Sequence, residues 1–211
     1  MNISLDPQAA ESLGAYYRLL EFWNQKVNLT AFSLNDAPDE AIDRLLIEPL
    51  VAARHLLGSR GGHGPHLGPH PRLLDIGSGG GSPAIPLKIA IPSLRLLMVE
   101  SKTRKSAFLR EAVRHLNLAD ASVETVRAED LLTRSELHES QDMVSVRAVR
   151  VEQKLLNSIQ AFLRQGGRIL LFRTSAGTDT PPLVAPPLVY EATWTLVESL
   201  RSRLVVLRKM L

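Results

Sequence analysis

The stretch that most constrains this chain is Arg72-Leu-Leu-Asp75-Ile-Gly77-Ser-Gly79-Gly80-Gly81-Ser82-Pro83, with Ala84-Ile85-Pro86-Leu87 behind it. A short apolar run closes on a carboxylate and a glycine cluster, and an apolar helical pattern follows. That is a strand, a tight turn and a helix, the opening unit of a Rossmann-like α/β sheet. Glycine lets the backbone take positive φ and lets a ligand approach where a Cβ would block it. Such sheets bind nucleotide-type cofactors in the crevice at the carboxyl ends of their strands.

Spacing narrows the choice of cofactor. Dinucleotide enzymes show G-x-G-x-x-G, with a pyrophosphate on the helix N-terminus. Here the order is Gly77-x-Gly79-x-Gly81, with Asp75 two places before the first glycine. D-x-G-x-G-x-G is the pattern of S-adenosylmethionine (SAM) methyltransferases, whose ligand is a sulfonium cation without phosphate. Asp75 suits that cation and would repel a pyrophosphate. The second strand, residues 94–99, ends in Glu100, a little over 20 residues after the turn. A carboxylate at that offset accepts the hydroxyls of an adenosine ribose.

Composition excludes several classes. A chain of 211 residues holds one α/β domain and a small appendage. It has no cysteine, hence no disulfide, thiolate metal site or cysteine nucleophile. No apolar run approaches 18 residues, and Met1 to Pro7 lead into a helix start with no cleavable signal. A cytoplasmic protein without a membrane partner is expected. A net charge of +3 tilts mildly towards an anionic partner.

In chain order, Asp6-Pro7 reads as an N-cap with proline in the first helical position. Leu13, Tyr17, Leu20, Trp23 and Val27 form one apolar stripe, and the helix is predicted to end near residues 28–30. A second helix is predicted from Asp36 to Asp39 onward. It buries Ile42, Leu45 and Leu46, and Pro49 either disturbs it or starts its continuation to Leu57. Residues 1–58 are thus a helical cap. Residues 59–71, rich in Gly, Pro and His, are a linker, and 72–211 a SAM-binding methyltransferase domain. His63, His66 and His70 lie in the linker, which lacks the rigidity to hold a metal, so no metal is expected. A helix over 103–117 turns Phe108, Leu109, Val113 and Leu116 inward. Strands are predicted at 122–126, 142–146 and 168–172, with a helix over 151–163. Segments 190–197 and 203–207 make a closing antiparallel pair. The expected architecture is a seven-stranded, mostly parallel sheet. After the third strand, Ala128, Glu129 and Asp130 offer a carboxylate or N–H to an adenine edge, or an N-cap to the next turn.

Several segments together resemble the RsmG (GidB, glucose-inhibited division protein B) family of bacterial methyltransferases. The carriers are Trp23-Asn24-Gln-Lys-Val-Asn28-Leu29-Thr30, the Asp75 to Leu87 stretch, Glu100-Ser101 with Lys105 and Phe108-Leu109, Ser145-Val-Arg147-Ala148, and Arg203-Leu-Val-Val. The W-N-x-x-x-N-L-T segment is the most specific, because generic methyltransferases lack it. The resemblance implies a class I SAM-dependent enzyme methylating a guanine N7 of 16S, small-subunit, ribosomal RNA, on naked RNA or the assembled subunit, and acting as a monomer. It implies SAM contacts at Gly77, Ser82, Ala128, Glu129 and Arg147, beside Asp75, Gly79 and Glu100. Asn28, Arg147, Arg150 and Arg173 form the substrate set.

Four places depart from the family pattern, one of them Thr174 to Pro187, which carries too many prolines for the helix often found there. Where R-H-x-x-D-S is usual, the chain reads Arg44-Leu45-Leu-Ile-Glu48-Pro49. Ser82 replaces a bulky apolar residue, and Arg173-Thr174 a Lys-Gly pair. No catalytic base is expected, because guanine N7 carries a free lone pair at neutral pH. Amino-group methylation would call for an Asn/Asp-Pro-Pro-aromatic motif, and cytosine C5 methylation for a cysteine; both are absent. A small-molecule methyltransferase or nicotinamide oxidoreductase on the same fold, and a non-catalytic RNA-binding protein, remain as alternatives from the residues alone.

Overall fold

The structure, a computed structural model, describes residues 6–58, 67–147, 152–174 and 184–210. Its first helix, α1, spans Pro7–Asn24 and starts as predicted, with the Asp6 carboxylate accepting from the Gln8 N–H at 3.4 Å. It stops earlier than the apolar stripe suggests. Asn24 Oδ1 accepts the N–H groups of Leu29 and Thr30, at 2.8 and 3.0 Å, and turns the chain back. A short polar side chain that bonds nearby main chain ends a helix that periodicity alone would prolong.

A continuous helical run follows: α2 (Asp39–Ile42), a π-helical turn (Asp43–Ile47) and α3 (Glu48–Leu57). Pro49 does not break it. Proline has no N–H to return to the carbonyl four residues back, and the wider π turn precedes it.

The strands are β1 (Arg72–Ile76), β2 (Arg95–Val99), β3 (Ala121–Glu124), β4 (Gln141–Arg147), β5 (Leu163–Thr174), β6 (Leu188–Thr195) and β7 (Ser202–Lys209). They form one sheet in the order β3-β2-β1-β4-β5-β7-β6, with β1 to β5 parallel and β7 antiparallel to both neighbours. Helices α4 (Ala84–Ala90), α5 (Thr103–His115) and α6 (Gln153–Ile159) lie between strands. Residues 160–162 form a 3-10 turn, and β5 starts at Leu163, which pairs with Gln141. The predicted helix to 163 is therefore shorter, and the predicted strand 168–172 longer.

Two apolar layers flank the sheet. One joins Leu13, Tyr16, Leu20, Leu50 and Leu56 of the N-terminal helices to Leu73, Phe108, Met143 and Phe172. The other joins Leu74, Ile76, Val144 and Val146 to Leu156, Ile159 and Phe162. Each such side chain contributes about 1.5–3 kcal/mol when fully buried. Strand alternation then places Asp75, Ser145 and Arg147 on the face covered by the N-terminal helices.

Candidate active site

The turn after β1 is where the two halves of the site meet. Gly77, Gly79 and Gly81 have φ of 73°, 52° and 86°. At Gly81 a Cβ would stand 2.5 Å from Ile85 Cδ1, so a side chain there would have to displace Ile85 as well as strain the backbone. Gly80 serves a different need. Its carbonyl accepts the Tyr16 hydroxyl at 2.6 Å, and a Cβ on it would crowd Leu20 and Leu29. The cap therefore rests directly on the glycine turn, and the Asn24-to-Thr30 loop is what delivers Leu29 to it. Trp23 meets Phe108 of α5 edge-on at 5.9 Å. Asn28 itself is exposed beside the buried Leu29.

On the β2 side, Glu100 is buried, and its two oxygens accept the Gly79 N–H at 3.0 Å and the Lys102 N–H at 2.8 Å. A carboxylate oxygen holds more than one acceptor position, so hydroxyl donors can still reach it. Glu100 borders a cleft of about 260 Å³ with Gly77, Val99, Val126, Ala128 and Glu129. Ala128 and Glu129 open a 3-10 segment in which Asp130 accepts the Arg127 N–H, so Asp130 caps its own turn. Two larger clefts, of about 280 and 410 Å³, lie at the amino ends of the strands, around Lys88 and Asn117 and around Arg72 and Arg95. They lack the glycine turn; in open α/β sheets ligands bind at the carboxyl ends.

Asp75 lies beneath the turn. Its Oδ1 accepts the Ser145 hydroxyl at 2.5 Å, while Oδ2 is buried without a protein partner. Burial pushes its carboxyl up, and the Ser145 and Ser78 hydroxyls and the Arg147 guanidinium pull it back. A buried acceptor needs a donor, and a cationic ligand bearing N–H groups would supply one. SAM, with its ammonium, sulfonium and ribose hydroxyls, fits this donor set: an orphaned carboxylate oxygen, a second carboxylate at the cleft and a turn clear of side chains.

The β4 side carries a charged network. Arg147 donates through Nη1 to Ser82 Oγ at 2.9 Å and through Nη2 to Glu48 Oε2 at 2.8 Å. Arg44 Nη1 donates to the other oxygen of Glu48 at 2.9 Å. Ser82 in turn donates to the Leu45 carbonyl at 2.8 Å, the carbonyl that an N–H at position 49 would otherwise reach. Two of the departures from the family pattern, Glu48-Pro49 and Ser82, are thus partners in one network. The Glu48 side chain is 2% exposed and that of Arg147 15%. Burial raises the Glu48 carboxyl, opposed by Arg147, Arg44 and a hydrogen bond from Ser202. Burial lowers Arg147, opposed by Glu48.

The structure therefore brings Asp75, Gly77, Gly79, Ser82, Glu100, Ala128, Glu129 and Arg147 around one turn. Arg173 is apart. Its neighbour Phe172 pairs with Arg147 and lies beneath the guanidinium, 6.0 Å from ring centroid to Cζ, so Arg173 falls on the opposite face, beside Arg203 of β7. Arg150 lies outside the described residues, as do His63 and His66. Among the described residues no group of three or more His, Asp or Glu is arranged to hold a metal. The roles of Glu48, Tyr16 and Ser145 were missed in the sequence. The one available signal was Arg44-x-x-x-Glu48, a helical pair set among apolar neighbours.

The family model for rRNA small subunit methyltransferase G (GidB) matches residues 9–180. The chain belongs to this family. It is 35% identical over 173 residues to ribosomal RNA small subunit methyltransferase G of Roseiflexus sp., covering 80% of this chain and 66% of that protein, so the match spans just under two thirds of that relative's length. With the protein of the same name from Geobacter sp. it shares 36% over 179 residues, 85% of this chain and 75% of the other. Among solved structures, a SAM-dependent methyltransferase from Aquifex aeolicus aligns with a TM-score of 0.55 at 11% identity, over 82% of this chain and 94% of that one. The fold is that of class I SAM-dependent methyltransferases, as the sequence predicts.

Proposed function

We propose that the chain transfers a methyl group from SAM to N7 of a guanine in 16S ribosomal RNA, as a cytoplasmic monomer. The observation that carries this reading is the family match over residues 9–180, which takes in the glycine turn, Glu100 and Arg147 alike. Glu100, Gly77, Gly79, Ala128 and Glu129 would hold the adenosine end of SAM, and Asp75 would complete the site from below. Residues 1–58 act as a helical cap, 59–71 as a linker and 72–211 as the SAM-binding methyltransferase domain. Asn28, Arg150 and Arg173 are the remaining candidates for RNA contact, and phosphate contacts would make binding salt-dependent.

Bound SAM supplies an electrophilic methyl whose bond to sulfur breaks, the pair staying on a neutral thioether as the new bond to N7 forms. No proton leaves the acceptor, so the protein's task is to orient two reactants in line. Two histidines and the tyrosine at the turn are otherwise engaged. His55 stacks on Trp194 at 4.9 Å, His138 pairs with the Leu132 carbonyl, and burial pushes the Tyr16 hydroxyl far up, so it stays protonated.

Incubating the protein with SAM and either naked 16S RNA or assembled small subunits, then mapping 7-methylguanosine, tests the assignment. Methyl groups found elsewhere than guanine N7 would remove it. Single-turnover transfer at saturation is expected to be flat between about pH 6 and 8.5. A tenfold rise per pH unit would mean that a proton leaves first and that the acceptor is an amino, N1 or hydroxyl group.

A further inference from the structure

The network at Glu48 is costly to build. Taking a carboxylate and a guanidinium out of water carries a penalty that their attraction does not reliably repay, and apolar side chains of similar volume often do as well or better. Stability alone is thus a poor reason for Glu48 and Arg147 to be buried together at the glycine turn. Arginine also cannot shed its charge in a protein. A cation fixed through Ser82 to the turn that receives the ligand must be balanced from outside itself, and the balancing anion is Glu48, reached at 2.8 Å across 99 residues of sequence.

We propose that Glu48 is a positioning residue that holds Arg147 against Ser82 and offsets one of the two positive charges that Arg147 and Arg44 bring to it, so that the turn accepts a sulfonium cation. This rests on the reading of the turn as a SAM site. Methyl transfer moves the positive charge from the cofactor to the base, leaving S-adenosylhomocysteine (SAH), a neutral thioether. An uncancelled guanidinium would oppose SAM and leave SAH almost untouched, and charges in a poorly solvated site act more strongly than in water. Arg44, on the other Glu48 oxygen, cannot take over the role of the carboxylate, since it adds a second positive charge. Pro49 completes the device, because the Leu45 carbonyl, deprived of a partner at residue 49, fixes the Ser82 hydroxyl that Arg147 addresses.

Calorimetric titration of the full chain with SAM and with SAH tests this. The readout is the preference for SAM over SAH, taken as the ratio of their dissociation constants. Glu48→Gln keeps the shape and one of the two acceptor oxygens but removes the charge. It is expected to lower that preference at least tenfold, about 1.4 kcal/mol. Arg147→Met removes the cation and is expected to raise the preference, and the double variant to restore the wild-type ratio. Equal weakening of both ligands by Glu48→Gln, or an unchanged or lowered preference with Arg147→Met, would overturn the proposal. Should Glu48→Gln fail to fold, Arg147→Met decides alone: a raised preference for SAM supports the proposal, and an unchanged or lowered one overturns it. Wild-type protein that binds neither ligand would remove the SAM reading itself. Wild type that binds both, with the ratio unmoved in Glu48→Gln, would remove only the role of Glu48.

Discussion

The two flanks of the glycine turn are built in opposite ways. On the β2 flank, Glu100 is held by N–H groups of residues 79 and 102 and borders an open cleft. On the β4 flank, Arg147 is held by side chains from position 82 and from position 48, in a different structural layer. The first flank is organised by main chain that the β-turn-α unit itself supplies. The second exists only once the cap has docked. A ligand site can thus combine a rigid local half with a half whose geometry depends on packing between layers, and the two should fail differently.

Glu48→Ala is the most severe way to expose that difference. It strands Arg147 and Arg44 in a largely buried setting. Breaking one partner of a buried pair costs about 3–5 kcal/mol, which should appear as a lower midpoint in chemical denaturation. Loss of less than about 1 kcal/mol would mean the pair behaves as a surface bridge and the flanks are alike.

Glu100→Ala should act chiefly on the ligand. Removing a carboxylate that receives hydroxyl groups is expected to weaken SAM by about 1.5–3 kcal/mol in calorimetry. Because its oxygens also accept two main-chain N–H groups, a smaller loss of stability accompanies it. Unchanged SAM affinity would take Glu100 out of the site.

Tyr16→Phe probes the seam between the flanks. It removes only the hydroxyl that binds the Gly80 carbonyl. A destabilisation of about 0.5–1.5 kcal/mol is expected for one hydrogen bond, with SAM affinity changed less than by Glu100→Ala. A larger effect on SAM than on stability would show that the cap shapes the turn as well as resting on it.

The smallest effect concerns His55, which joins α3 to Trp194 of β6. Burial lowers its affinity for a proton, with a hydrogen bond involving Thr195 opposing. The unfolded chain then takes up the proton first, near pH 6.5. Stability from this group is therefore present above that value and is lost as pH falls through the folded one. Unfolding measured from pH 7.5 to 5 should slope less steeply in His55→Gln than in the wild type. Parallel slopes would leave His55 without a share in the pH dependence.

What the sequence determined by itself was whatever is encoded within a few residues. The D-x-G-x-G-x-G spacing specifies a strand, a turn at positive φ and a helix, and Glu100 follows at a distance set by one crossover. The alternating apolar runs specify a mostly parallel sheet closed by an antiparallel pair. Asp6-Pro7 specifies a helix start, for the same local reason. The end of α1 was not legible, because the Asn24 carboxamide competes with a periodic apolar stripe and only the folded loop shows which wins. Nor did the sequence show why Gly80 lacks a side chain, since the need comes from Leu20 and Leu29 of the cap. Read singly, Glu48, Pro49 and Ser82 were isolated departures from a family pattern. Their meaning lies in contacts spanning 37 and 99 residues of chain. Tertiary structure alone decides such contacts, because a buried charge has no local signature: its partner is whichever opposite charge the packing of layers brings within hydrogen-bonding distance.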